Sequence, residues 1–195
     1  MNNQLLINLG GIIAFVTLAV FSFQIWIEKV KPISSATWSM FVLIDLILLV
    51  SSYFAGKPYM LPLGYTVGAL MVTAAHFKRG QWIWTWKEGL SLGVMLASTV
   101  VWLANIESVW GVYASIGAML AAGAPMYYSL WNKPDKDIRW MLIATAIAGT
   151  ISILGADFEV FSTYAVGLSG LLYNGSLAII VTVRILKPEE EARKA

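Results

Sequence analysis

Apolar residues in this chain arrive in long unbroken runs, divided by short polar stretches. Seven runs can be bounded, at 5–27, 36–54, 59–77, 89–105, 109–131, 138–154 and 161–183. A bilayer core about 30 Å thick takes roughly 20 apolar residues at 1.5 Å each, so every run is predicted to cross a membrane. In lipid each backbone N–H and C=O needs a partner within the protein, which leaves helices or closed barrels. The two-residue alternation of a barrel strand is absent. The expected fold is an all-α membrane protein with seven transmembrane helices.

Composition agrees with the pattern. Hydrophobic residues make up 58% of the 195 and charged residues 12%, against about 25% charged in a soluble domain. Mean hydropathy is +0.72. There is no cysteine, so disulfides and thiolate metal sites are excluded. Residues 1–4 carry no basic segment, and the first apolar run reads as a span rather than a cleaved signal.

Charge then sets the orientation. Of the 13 Lys and Arg residues, seven spans place twelve on the side of the C-terminus and only Lys57 on the other. Basic loops stay cytoplasmic, so the N-terminus is expected outside and the C-terminus inside. The setting is a multi-pass protein of a plasma or inner membrane. "NKPDKDIRW" (132–140) becomes the cytoplasmic connector between spans five and six.

That connector has an echo. "VKPISSATW" (30–38) repeats its frame, with Lys31, Pro32 and Trp38 matching Lys133, Pro134 and Trp140 at a lag of 102 residues. In both copies a Lys-Pro turn follows one helix and a Trp, expected at the membrane interface, opens the next. The same lag pairs Gly68 with Gly170. Spans one to three and five to seven therefore read as two parallel repeats, with span four as a linker helix that restores parallel orientation, as in some transporters. The expected divisions are 1–87 for the first repeat and its loop, 88–107 for the linker, 108–187 for the second repeat, and 188–195 for a solvated charged tail.

On these features the chain resembles the SWEET and PQ-loop superfamily. "FQIWIEKVKPISSATW" and "PMYYSLWNKPDKDIRW" are similar to that group's basic loop, and its Pro-Gln hallmark is kept in halves, as Phe23-Gln24 and Pro125-Met126. The resemblance implies a carrier of a small polar solute (a sugar, an amino acid or a vitamin-like molecule) working by alternating access between the repeats. It equally admits a non-transporting receptor or cargo-binding protein on the same scaffold. Sugar-carrying members share an Asn three residues before a Gly on the third helix of each repeat. Here Tyr65 precedes Gly68 and Gly167 precedes Gly170, which argues against a sugar.

Among candidate binding residues Asp45 stands first. It follows Trp38 by seven residues, about 10 Å deeper into the membrane, where an ionisable group costs roughly 2.5–3.5 kcal/mol and faces a cavity or a partner. An unpaired charge at that depth is costly, so the carboxyl should be protonated or hydrogen-bonded, with Asn174 or a Tyr hydroxyl as partner. That chemistry suits either proton coupling or a structural hydrogen bond. Asn174 sits about 20 Å along its span, near the same depth. Tyr65 and Tyr164 complete the expected substrate-binding set, and Tyr173 is a further candidate for a polar cavity. Pro125, in the inner third of span five, is the expected hinge. His76 has no second His anywhere and reads as an interfacial residue rather than a metal ligand. The Trp-rich "GQWIWTWKEG" (80–89) reads as an interface belt, and Gly64-x-x-x-Gly68 as a packing signal.

P-loop, Rossmann, G-x-S-x-G and HExxH motifs are all missing. No enzyme activity, cofactor, metal or nucleic acid is expected. The implied partners are a small-molecule substrate and the bilayer, with homo-oligomer formation left open. A retinal pump is excluded because the last span lacks a Schiff-base Lys, Lys187 lying beyond it.

Overall fold

A computed structural model describes residues 3–30, 35–54, 56–79, 84, 86–105, 109–157 and 161–194. No strand occurs among the described residues. The helices are α1 (Asn3–Trp26), α2 (Ser35–Phe54), α3 (Met60–Lys78), α4 (Trp86–Ala104), α5 (Val109–Asn132), α6 (Arg139–Leu154) and α7 (Phe161–Lys194), with a 3-10 turn at Lys136–Ile138 before α6. Among the described residues six segments are long and apolar enough to cross a membrane, within α1, α2, α3, α4, α6 with its leading turn, and α7. The α5 helix is 24 residues long, carries no charged residue and runs through Pro125. The α7 helix continues to Lys194, through most of the 188–195 segment, in Glu-, Ala-, Arg- and Lys-rich sequence that favours helix.

Every helix leaves large apolar side chains exposed. On α4 only Met95, Thr99 and Trp102 are buried, while Leu90, Val94, Val100 and Leu103 face outward. An apolar exterior this extensive suits a lipid surround.

The helices divide into two triplets. In the first, α3 lies between α1 and α2; in the second, α7 lies between α5 and α6. The triplets meet where α1 packs on α6 and α2 on α5, and α4 rests mainly on α5. Small residues allow the closest contacts. A Cβ on Gly64 would strike the Gly11 backbone, and one on Gly68 would strike Leu18, as the Gly-x-x-x-Gly spacing predicts. In the second triplet a Cβ on Gly149 would lie 2.7 Å from the Gly167 carbonyl oxygen.

Both triplets also close one helix end in the same way. Arg79, just past α3, donates to the Trp26 carbonyl at the end of α1, and its Nε donates to Ile25 O at 3.3 Å. On α7, Arg184 Nε donates to the Trp131 carbonyl near the end of α5, at 3.0 Å. The guanidinium of Arg184 lies over the Trp131 ring, and Lys78 lies over Trp26. A cation there satisfies orphan carbonyls and complements the helix dipole. Arg79 also pairs with Glu28, which lies two residues past α1 in a left-handed conformation (φ 62°).

Buried positions of the two triplets match at lags other than 102. At a lag of 102, buried Asp45 pairs with Ile147, which is 49% exposed. Shifted to 100, buried Trp38, Phe41, Asp45 and Leu48 on α2 match buried Ile138, Met141, Thr145 and Ala148 around α6. For α1 with α5, and α3 with α7, a lag of 105 brings buried onto buried, as with Phe21 and Met126 or Tyr65 and Gly170. It also superposes Trp26 on Trp131 and Arg79 on Arg184. Pro32 and most of 80–85 lie outside the described residues.

Candidate functional site

The sequence aims one face of α2 at the neighbouring triplet. Trp38, Phe41, Asp45 and Leu48 recur at helical spacing and are all buried, whereas Leu43, Leu46 and Val50 point outward. Trp38 is thus buried in the bundle, in contact with the rings of Phe21 and Phe41. Along α3, Tyr65, Ala69, Val72 and His76 form the corresponding face, and along α7 it is Gly170, Tyr173, Asn174 and Leu177.

These faces border a cavity between the triplets. Asp45, Tyr65 and Asn174 all line it, with Trp38, Phe41 and Tyr173 among the aromatic residues and Met119, Met126 and Met141 supplying flexible apolar surface. Three of the four expected binding residues are therefore brought together. Tyr164 is half-buried and not in the lining; it sits near the start of α7, more than a turn before Gly170. Pro125 is buried beside the lining residue Met126. The cavity has a volume of about 30 Å³, room for one or two waters.

Asp45 is 4% exposed, and its Oδ1 has no hydrogen-bond partner. The partners expected for it are engaged elsewhere. Asn174 Nδ2 donates to Gly170 O, one turn back on its own helix, at 2.9 Å. Tyr65 OH donates to Thr145 O on α6 at 3.1 Å, and Tyr173 OH to Met126 Sδ at 3.1 Å. Local back-bonding of this kind is always within reach of a helical Asn, so depth alone did not predict the pairing.

Two sets of contacts bound the cavity. On the side of the α2 N-terminus, edge-to-face rings run from Trp38 to Phe41, on to Tyr173 across the triplet boundary (5.1 Å), and then to Tyr127 (5.4 Å). On the other side Tyr65 reaches over from the N-terminal third of α3. Gly170 leaves space for its ring, since a Cβ there would stand 2.8 Å from the Tyr65 hydroxyl.

Four more buried polar atoms lack a partner: Gln24 Oε1, Trp38 Nε1, Thr73 Oγ1 and His76 Nε2. His76 is 1% exposed and its Nδ1 donates to Val72 O at 2.7 Å. It is buried at the C-terminal end of α3, because the helix turns this face toward the rest of its triplet. Sequence reasoning missed Trp38, Phe41, Thr145 and the three methionines as lining residues. For the first two a signal was available: they stand seven and four residues before Asp45, on its face of the helix.

Comparison with protein-family models, curated proteins and solved structures finds no match to this chain.

Proposed function

We propose that the chain is a membrane transporter, moving a small polar solute by alternating access between two parallel three-helix repeats, α1–α3 and α5–α7, with α4 as the linker. The observation that carries this reading is the cavity between the triplets, where both contribute lining and a buried carboxyl is left without a partner. A buried polar atom in that condition costs about 1–3 kcal/mol or more, and a site that binds a solute in turn supplies what is missing.

Several features support the repeat. Exchanging α1 with α5, α2 with α6 and α3 with α7 maps the principal packing of the two triplets onto itself, including the α1–α6 and α2–α5 boundaries. The matched burial registers and the shared Arg-on-Trp helix closure point the same way. In this reading the protein spans the membrane seven times, with its N-terminus outside and its C-terminus in the cytoplasm. The twelve-to-one distribution of Lys and Arg motivates that orientation.

In this reading the cavity of about 30 Å³, with contacts on both sides, corresponds to an occluded state. Opening requires parting either the Phe41–Tyr173 contact or the Tyr65–Thr145 bond, and Pro125 lies where α5 could bend. The test is a thermal-shift screen of purified protein against sugars, amino acids, vitamins and amines, followed by uptake into proteoliposomes. A solute that raises thermal stability should also cross. A solute that binds and never crosses would replace transport with the receptor reading. A C-terminal reporter found outside the cell would overturn the topology.

A further inference from the structure

Resting on that transport reading, we propose that the cavity takes a small primary amine, bound as its ammonium form to Asp45 and exchanged for a proton on the same carboxyl. The lining itself specifies the charge. Asp45 is its one acidic or basic side chain, and no Lys, Arg or His lines the cavity. A carboxylate or phosphate on the solute would meet no cation. A polyhydroxyl solute needs several free donors and acceptors, yet the hydroxyls of Tyr65, Thr145 and Tyr173 and the amide nitrogen of Asn174 already donate within the protein.

Among the described residues, two fully buried polar atoms of the lining are unpartnered, Asp45 Oδ1 and Trp38 Nε1. The first is an acceptor aimed at by nothing else, and an ammonium group brings N–H donors together with the opposite charge. Trp38, Phe41, Tyr65 and Tyr173 surround it with aromatic surface, which attracts organic cations. Met119, Met126 and Met141 provide a lining that can repack around an alkyl body. Trp38 Nε1, two turns from Asp45 on the same face of α2, offers a donor to a hydroxyl or ether at the far end of a longer amine.

Exchange follows from burial. An empty carboxylate in this setting is costly, so Asp45 crosses the occluded state either protonated or paired with the cation. The step balances as Asp45–COOH plus R–NH3+ giving the Asp45 carboxylate paired with R–NH3+ and one free proton. The titratable groups facing Asp45 are Tyr65 on α3 and Tyr173 on α7, with Tyr127 of α5 behind Tyr173. Those on the lining donate their hydroxyl protons in the bonds above. Helices α1, α5 and α6 add only apolar residues and Thr145 to the lining. The charged residues of α4, Lys87 and Glu88, stand in its first turn and outside it.

The experiment is calorimetric titration of the full chain in lipid nanodiscs with butylamine, 1-butanol and butyrate. Butylamine should bind with about one proton released, read from two buffers of different ionisation enthalpy. Its apparent affinity should rise about tenfold per pH unit wherever Asp45 is protonated in the free protein. The alcohol and the acid should bind at least about tenfold more weakly. Asp45→Asn should abolish the proton release and most of the amine affinity; should that variant not fold, the three-ligand comparison and pH series on the unaltered chain decide alone. Equal binding of butanol or butyrate, or amine binding without proton release, overturns the proposal. If amine binds with proton release but proteoliposomes exchange nothing, transport falls and the ligand class stands. If an amino acid crosses and amines do not bind, transport stands and the ligand class falls.

Discussion

Helices α1–α3 and α5–α7 share a packing plan and differ in how they treat polar groups. Among the described residues, the five buried polar atoms without partners all belong to α1–α3. In the second triplet comparable groups are bonded: Tyr127 with Ser176, Tyr173 with Met126, Thr145 with Met141, and Ser169 with Val166. In the burial registers above, Trp38 corresponds to Ile138, Thr73 to Ala178 and His76 to Val181, all three buried. Asp45 corresponds to Thr145. The same helix packing therefore accommodates apolar or self-satisfied residues at the matching places of α5–α7, where α1–α3 carry unpartnered polar groups. Buried groups left unsatisfied are expected where function stores cost.

The largest effect should come where the triplets agree. Gly64→Leu would force a side chain into the Gly11 backbone, and Gly149→Leu into that of Gly167. Each should cost at the top of the roughly 1–3 kcal/mol range for overpacking, or beyond it. Loss of monodisperse protein on size exclusion after mild heating would register both. A response from only one of them would break the packing half of the comparison.

Next in size is Asp45→Thr, which installs the second triplet's residue in the first. The variant should remain folded, because Thr145 occupies the matching place on α6 with its hydroxyl bonded to Met141 O. Uptake into proteoliposomes should fall about tenfold or more and lose its dependence on pH, since threonine cannot bind or release a proton there. PH-dependent uptake that survives the change would show that the carboxyl has no part in coupling.

Much of this contrast could be read beforehand, and some could not. Helix positions follow from hydrophobic length alone, because lipid forbids unpaired backbone; predicted 109–131 became Val109–Asn132 with no further information. Asp45 was legible for the same reason, one ionisable group in an apolar run. The lags at which buried faces of the two triplets match were not, because sequence identity at 102 residues says nothing of which helix faces are packed inward. The partner of Asp45 was not legible either, since an Asn or Tyr at the right depth can as easily bond a nearby carbonyl. Asn174 does so with Gly170 O, and Tyr65 with Thr145 O.

Tyr65 is a polar group of the first triplet with its partner in the second, so its removal tests what joins them. Tyr65→Phe deletes the 3.1 Å bond to Thr145 O and leaves the ring over Gly170. A neutral buried bond contributes about 0.5–1.5 kcal/mol, which can shift an open–occluded equilibrium by up to about tenfold. Faster solute exchange with little loss of thermal stability is expected if the bond closes one side of the cavity. Lower stability with unchanged exchange would make it an ordinary tie between helices.

The smallest effect is the most direct measure of the difference. Thr73 on α3 and Thr145 on α6 are both buried, and only Thr145 has its hydroxyl bonded, to Met141 O at 2.8 Å. Valine replaces either hydroxyl with a methyl of similar size. Thr145→Val gives up a hydrogen bond and should lower the unfolding free energy by about 0.5–1 kcal/mol. Thr73→Val removes an oxygen that bonds to nothing in the protein, so burying a methyl there should leave the apparent melting temperature unchanged or raise it. The sign of the difference is the result that counts, because both edits alter the same atoms on a helix of the same kind. Should Thr73→Val be as damaging as Thr145→Val, water within the first triplet must be satisfying that oxygen. The two halves would then differ in hydration and not in the number of groups left wanting a partner.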